Sequence, residues 1–256
     1  MSITDPKTVV TWITGASSGI GEEVARRLVR RGETVVASAR SEDKLTAMAE
    51  SLGEERGRLV PIPLDVTDPA AVRACADRIA AEIGPIDRVI LNAGTYKADN
   101  GRDFALDNFK LHYDLNVFGI AHGVDAVLPA MRERRKGHIV VVASVAGYRG
   151  LPQSISYSSS KAAAIAMAES LKIELEPFNI KVQVVNPGFV KTPLTDKNDF
   201  AMPMLMEVDD AARASIRGMD EDRFEITFPK PFTFMMNRLR DLPDCVYFAM
   251  MRRVRR

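Results

Sequence analysis

Thr8-Val9-Val10-Thr11-Trp12-Ile13 leads without a break into Thr14-Gly15-Ala16-Ser17-Ser18-Gly19-Ile20-Gly21. The stretch from Glu22 to Arg31 follows, and Thr34-Val35-Val36-Ala37-Ser38 then turns apolar again. An apolar run, a glycine-rich turn, a charged segment of helical period and a second apolar run are a β-α-β unit. The reading starts the helix at Glu22. Gly15, Gly19 and Gly21 permit a tight turn and a close backbone approach to a ligand, while the helix N-terminus offers free N–H groups and the positive end of its dipole. A pyrophosphate fits that combination, with Ser17, Ser18 and Ile20 completing the loop. Three glycines alone are weak evidence; the flanking strand and helix make the signal specific.

Outward from this unit the rhythm continues. Leu59 to Leu64 is apolar, an Ala-rich helix ends near Ile83, and strand-like runs recur at Arg88 to Leu91, His138 to Ala143 and Lys181 to Val185. These runs show little alternation of period two, so they read as strands buried on both faces, which requires helices above and below a parallel sheet. The expected fold is α/β: a single-domain, Rossmann-like, doubly wound parallel sheet. One domain is expected over 1–256, with a core at about 8–190 and a lid plus variable segment at about 192–256.

Composition agrees with a packed enzyme-sized protein: 256 residues, 46% hydrophobic and 27% charged, with a net charge of +1. That charge offers no global field for nucleic acid. Cys75 and Cys245 are far apart and lack metal-ligand spacing, which fits a reducing compartment; both are expected to be small buried hydrophobes. No basic leader precedes an apolar core, and no run of about 18 apolar residues occurs, so a cytoplasmic location is expected. His112, His122 and His138 form no motif with acids or cysteines, so no metal is assigned. His138, at a strand start, reads as structural. Ser158, Ser159 and Ser160 lack a nucleophile elbow and a His/Asp partner, which argues against hydrolase chemistry.

The Gly-x-x-x-Gly-x-Gly spacing of Gly15, Gly19 and Gly21 resembles the short-chain dehydrogenase/reductase family. So do Asn92-Ala93-Gly94, Ser144 followed 13 positions later by Tyr157-Ser158-Ser159-Ser160-Lys161, and Asn186-Pro187-Gly188. The likeness covers about residues 8 to 195. It implies a nicotinamide dinucleotide lying on Asn92, Ala93, Gly94, Pro187, Gly188, Val190 and Thr192, with Asp65 and Val66 at the adenine. A turn-forming Asp65 before Thr67-Asp68-Pro69 explains that residue almost as well. At the end of the second strand a carboxylate would bind the ribose 2′-hydroxyl of NAD(H); here stand Ala39 and Arg40, so NADP(H) is favoured, with Arg40 forking onto the 2′-phosphate. The ordinary alternative is an arginine capping a strand in solvent.

Tyr157 and Lys161 are i and i+4, on one helix face. A phenol titrating near ~10 is a poor base at neutral pH, and a neighbouring cation is expected to lower it. The resemblance implies a catalytic tetrad. Tyr157 is its general acid/base and Ser144 bonds the substrate oxygen. Lys161 holds the nicotinamide ribose, and Asn116 helps hold a relay water. The expected substrate is a hydrophobic ketone, aldehyde or alcohol, because the lid residues Leu194, Phe200, Met202, Pro203, Met204, Leu205 and Met206 are apolar and methionine-rich. Packing of the lid onto the core explains those residues equally. From Phe224 to Arg256 aromatics and methionines interleave with arginines. Contact with an anionic membrane, a homo-oligomer interface and a cover over the pocket mouth are all compatible with this pattern. A dinucleotide-binding sensor or scaffold without turnover is the alternative from another functional class.

Overall fold

The computed structural model describes residues 9–196 and 202–254. In chain order the elements are β1 (Val10–Thr14), α1 (Gly19–Arg31), β2 (Thr34–Ala39), α2 (Glu42–Leu52), β3 (Arg58–Pro63), α3 (Pro69–Glu82), β4 (Arg88–Leu91) and α4 (Leu106–Tyr113). Then follow α5 (Gly119–Glu133), β5 (Gly137–Val142), α6 (Ile155–Leu175), β6 (Ile180–Pro187), α7 (Val208–Asp220), β7 (Glu225–Phe228), α8 (Lys230–Arg240) and α9 (Asp244–Val254). The seven strands form one sheet in the order β3-β2-β1-β4-β5-β6-β7, and every pairing is parallel.

Continuous apolar strands follow from this arrangement. Trp12 and Val36 face a core shared with α3, α5 and α6; Ile13, Val35 and Ala37 face a second core shared with α1, α2 and α7. Each strand thus needs apolar side chains at successive positions. One strand is missing from the sequence reading: β7, four residues long at the sheet edge, with only Ile226 and Phe228 buried. Four residues with a half-polar pattern are too short a signal. Cys75 is buried as expected, whereas Cys245 is exposed. It lies on α9, where Tyr247 alone is buried among Asp244 to Met250. Among the described residues no helix is long and apolar enough to cross a membrane.

His138 is structural in detail. Arg88 Nε donates to its Nδ1 at 3.2 Å, its Nε2 meets Gln183 Oε1 at 2.8 Å, and Arg88 also pairs with the buried Glu33 at 3.0 Å. Burial, together with the charges of Arg88 and Lys181, pushes the imidazole down to about 3 from 6.5. A base that resists protonation in the folded state stabilises the fold fully above 6.5, and that stability is lost as pH falls toward 3. From this group alone, unfolding free energy is expected to fall by about 1.4 kcal/mol per pH unit in that window. Urea midpoints of wild type and His138→Asn across the window check this, the variant showing the shallower slope.

Candidate active site

The sheet order reverses between β1 and β4, and the carboxyl ends of β1, β4, β5 and β6 converge there, as open α/β folds require of a ligand crevice. A cleft of about 560 Å³ occupies the place. This lies within the roughly 300–1,000 Å³ range of ligand pockets. Gly15, Ser17, Ser18, Gly19 and Ile20 line its floor. Gly15 has φ +67°, and a Cβ there would stand 2.7 Å from Ala93 Cα. Gly21 lies behind the lining: its Cβ would meet Asn92 Nδ2 at 2.4 Å. That amide donates to Thr14 O and Gly15 O at 3.1 and 3.0 Å and so ties the glycine loop to β4. Thr14 Oγ1 returns the tie by accepting from the Asn92 and Ala93 N–H groups.

The helix begins at Gly19 rather than Glu22, because the turn that faces the cleft is itself the first helical turn. Its N-cap, Ser18, makes no side-chain cap bond, unlike Asp68, which accepts from Ala70 and Ala71 at the start of α3. The first-turn donors of α1 are thus left to an anion in the cleft. This is the structural fit for a dinucleotide pyrophosphate.

At one end of the cleft stand Ala39, Arg40, Ser41, Lys44, Asp65 and Val66. Ser41 and Lys44 escaped the sequence reading. Lys44 is four residues beyond Arg40, at the start of α2, and a second cation so close to Arg40 was the available signal. Asp65 forms the expected turn: the Thr67 N–H donates to it at 2.9 Å and holds its carboxyl below the usual range, the Thr67 hydroxyl and the Arg40 charge contributing further. It also lines the cleft.

At the other end are Ser144, Tyr157 and Lys161, with Asn92, Ala93 and Gly94 opposite. The Ser144 hydroxyl accepts from Ala146 N–H at 3.1 Å and hydrogen-bonds Tyr157. Lys161 Nζ donates to Val142 O at 3.0 Å and lies 5.8 Å from the centre of the Tyr157 ring. This leaves two further ammonium donors for other acceptors. Burial pushes Tyr157 up to about 12, against the Ser144 bond, and pushes Lys161 down to about 8. The expectation that Lys161 lowers the phenol is therefore corrected within the polypeptide itself. Withdrawal of the phenol from water outweighs any charge effect. Asn116 stands behind the wall in a π-helical segment, Asp114–Phe118. Its amide is committed to Thr95 O and to Ser160 Oγ, at 3.1 and 3.0 Å.

Pro187, Gly188, Val190 and Thr192 line the cleft together with Pro193, Leu194 and Thr195. Of the expected lid, Phe200 lies outside the described residues. Met204 and Leu205 are exposed, and Met206 packs on the core beside Val190. The C-terminal helices cover part of the site's surroundings. Phe232 and Met236 of α8 pack with Val145, Tyr148, Leu151 and Phe189, on the chain that joins Ser144 to Tyr157 and just after Gly188. Arg149 from the same connection lies over the Tyr247 ring at 3.9 Å, pairs with Asp244 and donates to Leu242 O at 2.6 Å. The outer sides of these helices expose Phe234, Met235, Val246, Phe248 and Met250.

A parallel sheet with a glycine-rich turn at its switch point, and a serine, tyrosine and lysine lining the same cleft, fits the oxidoreductase class. Comparison with known proteins makes the class specific: residues 9–202 match the short chain dehydrogenase family, and the chain belongs to it. An uncharacterized oxidoreductase of Myxococcus xanthus is 37% identical over 243 residues, covering 95% of this chain and 96% of the relative. A short-chain dehydrogenase of Sphingobium yanoikuyae, solved in complex with NADPH, is 27% identical with a TM-score of 0.79, covering 92% of this chain and 97% of its own. A relative from Burkholderia phymatum, solved in complex with NAD, is 25% identical with a TM-score of 0.83, covering 93% and 94%. Structures of similar fold thus hold either dinucleotide.

Proposed function

We propose that this oxidoreductase interconverts a hydrophobic ketone or aldehyde and its alcohol with NADP(H). Tyr157 is the proton donor, and Ser144 and Lys161 act beside it. The observation that carries the reading is the joint placement of Ser144, Tyr157 and Lys161 opposite the uncapped start of α1 in one cleft. The dinucleotide, when bound, supplies or accepts the hydride. A phenol pushed up to about 12 is protonated at neutral pH, so Tyr157 stands ready to give its proton to a carbonyl oxygen. Ser144 holds that oxygen by a hydrogen bond and stabilises the charge developing on it. Lys161, with donors beyond Val142, would hold the ribose hydroxyls and replenish the proton through a water that Asn116 helps to hold. NADP(H) is favoured because the cleft end carries Arg40 and Lys44 and Ala39 offers no carboxylate. Leu194, Val190 and Leu115 give the same cleft an apolar wall, which supports a hydrophobic substrate.

The test is turnover of NADPH and of NADH with a series of ketones and aldehydes from short to lipophilic. NADPH-dependent reduction is expected; tight NADPH binding with no turnover would favour a sensor instead. The exposed row Phe234, Met235, Phe248 and Met250 fits a surface shared with a second copy of the chain. Replacing Phe234 and Phe248 together by Ser is expected to lower the mass measured by light scattering while turnover persists. Unchanged mass, with loss of binding to anionic vesicles, would assign the row to a membrane.

A further inference from the structure

Asp99 is a carboxylate with only 5% of its surface exposed, and among the described residues no cation pairs with it. A buried charge without a counter-ion requires strong donors, and they come from the start of α6. Asp99 Oδ1 and Oδ2 accept from the Ser156 N–H at 3.2 and 3.1 Å, and the Ser156 hydroxyl donates to Oδ2 as well. The residue before the helix, Ser154, makes no side-chain cap bond. Asp99 caps α6 from a distant segment, and the helix dipole supplies the positive partner. The next residue after Ser156 is Tyr157.

The segment that carries Asp99 is fastened on both sides of that tyrosine. The Asp99 N–H donates to Gln153 O at 3.3 Å, just before α6. Four residues earlier, Thr95 gives its N–H to Asn116 Oδ1 at 2.8 Å, and Asn116 in turn donates to Ser160, one turn beyond Ser156. Between the two ties, Tyr96 meets the Tyr157 ring edge-on at 5.1 Å and 79°. His112 meets the same ring at 6.2 Å and 72°, and its Nε2 accepts from Lys97 N–H at 3.2 Å. With Nε2 accepting, Nδ1 donates to Asn108 O at 2.7 Å, so the imidazole is held in place through both ring nitrogens.

We infer that Asp99 is a positioning residue for proton transfer: its carboxylate clamps the Thr95–Asp99 segment to the first turn of α6 and so sets where the Tyr157 hydroxyl stands. The inference rests on Tyr157 being the proton donor. A misplacement of about 1 Å in a reacting group costs up to about 100-fold in rate. Asp99→Ala is therefore expected to lower kcat about 10- to 100-fold per NADPH-binding site, with the Kd for NADPH changed by less than about twofold, because neither Asp99 nor Ser156 lines the cleft. Asp99→Asn keeps one oxygen to accept the Ser156 N–H, so it is expected to recover part of the loss.

The experiment measures kcat, KM, NADPH affinity and Tm for full-length wild type, Asp99→Ala, Asp99→Asn, Ser156→Ala and Tyr157→Phe, using the carbonyl compound reduced fastest in the series above. Hydrogen exchange at the Ser156 amide is followed in the same proteins with NADPH present. Faster exchange at Ser156, a fall in kcat at constant NADPH affinity and partial recovery in Asp99→Asn support the clamp. A lower Tm with kcat unchanged makes Asp99 a fold-stabilising cap only and overturns the inference, as does unchanged exchange at Ser156. If Asp99→Ala does not fold, Asp99→Asn against wild type decides by the same two readouts. Full turnover by Tyr157→Phe would overturn the tyrosine's proposed role instead, while Ser156 exchange would still report whether Asp99 holds the helix start.

Discussion

Tyr157→Phe is expected to lower carbonyl reduction about 100- to 10,000-fold, the range that a positioned general acid contributes, while leaving NADPH affinity near wild type. The ring is kept, so its edge contacts with Tyr96 and His112 survive. What is lost is the hydroxyl that Ser144 touches and that carries the proton. The pH dependence carries its own signature. With Tyr157 pushed up to about 12, the donor is protonated through the neutral range, so reduction should not fall there for want of an acid. Lys161, pushed down to about 8, sheds its charge as pH rises through that value. Reduction is therefore expected to decline above about 8, and Lys161→Met should remove that limb along with most of the activity. Stopped-flow oxidation of NADPH by the three proteins across pH gives both results together.

Arg40→Ala is expected to weaken NADPH about 10- to 100-fold and to leave NADH nearly unchanged, since a charge-assisted bond to phosphate is worth about 1.5–3 kcal/mol. Arg40 lies at the far end of the cleft from Tyr157, beside Ser41 and Lys44, so the loss should appear in affinity rather than in kcat at saturating cofactor. Lys44→Ala is expected to act in the same direction with a smaller effect, because an ammonium offers a point charge where guanidinium offers a fork. Fluorescence titration with the two reduced dinucleotides separates the cases. Equal losses for NADPH and NADH would assign Arg40 to general shaping of the cleft.

The sheet was legible because its strands are buried on both faces, and unbroken runs such as Val35-Val36-Ala37 have few other uses. The glycine loop was legible because Gly15 stands against the Ala93 backbone and Gly21 against the Asn92 side-chain amide and Gly15 O, where a Cβ would not fit. β7 was not, since four residues at an edge leave too little pattern. Asp99 was invisible for a different reason. Its partner, Ser156, is 57 residues away, and nothing local to either position signals a cap. The shift of Tyr157 reversed the expected direction because helical spacing fixes who is adjacent but not how far burial withdraws the phenol from water. The C-terminal helices were readable as aromatic and basic, yet their inner row, Phe232, Met236 and Tyr247, is recognisable only once the Ser144–Tyr157 connection is seen beneath it.

The most direct test of the central claim is to run the reaction with NADPH carrying deuterium in both positions at the transferring carbon of the nicotinamide and to weigh the product by mass spectrometry. The account predicts an alcohol that carries the deuterium on its former carbonyl carbon, formed by wild type and not by Tyr157→Phe. An unlabelled alcohol, or labelled product from both proteins at equal rates, would contradict it.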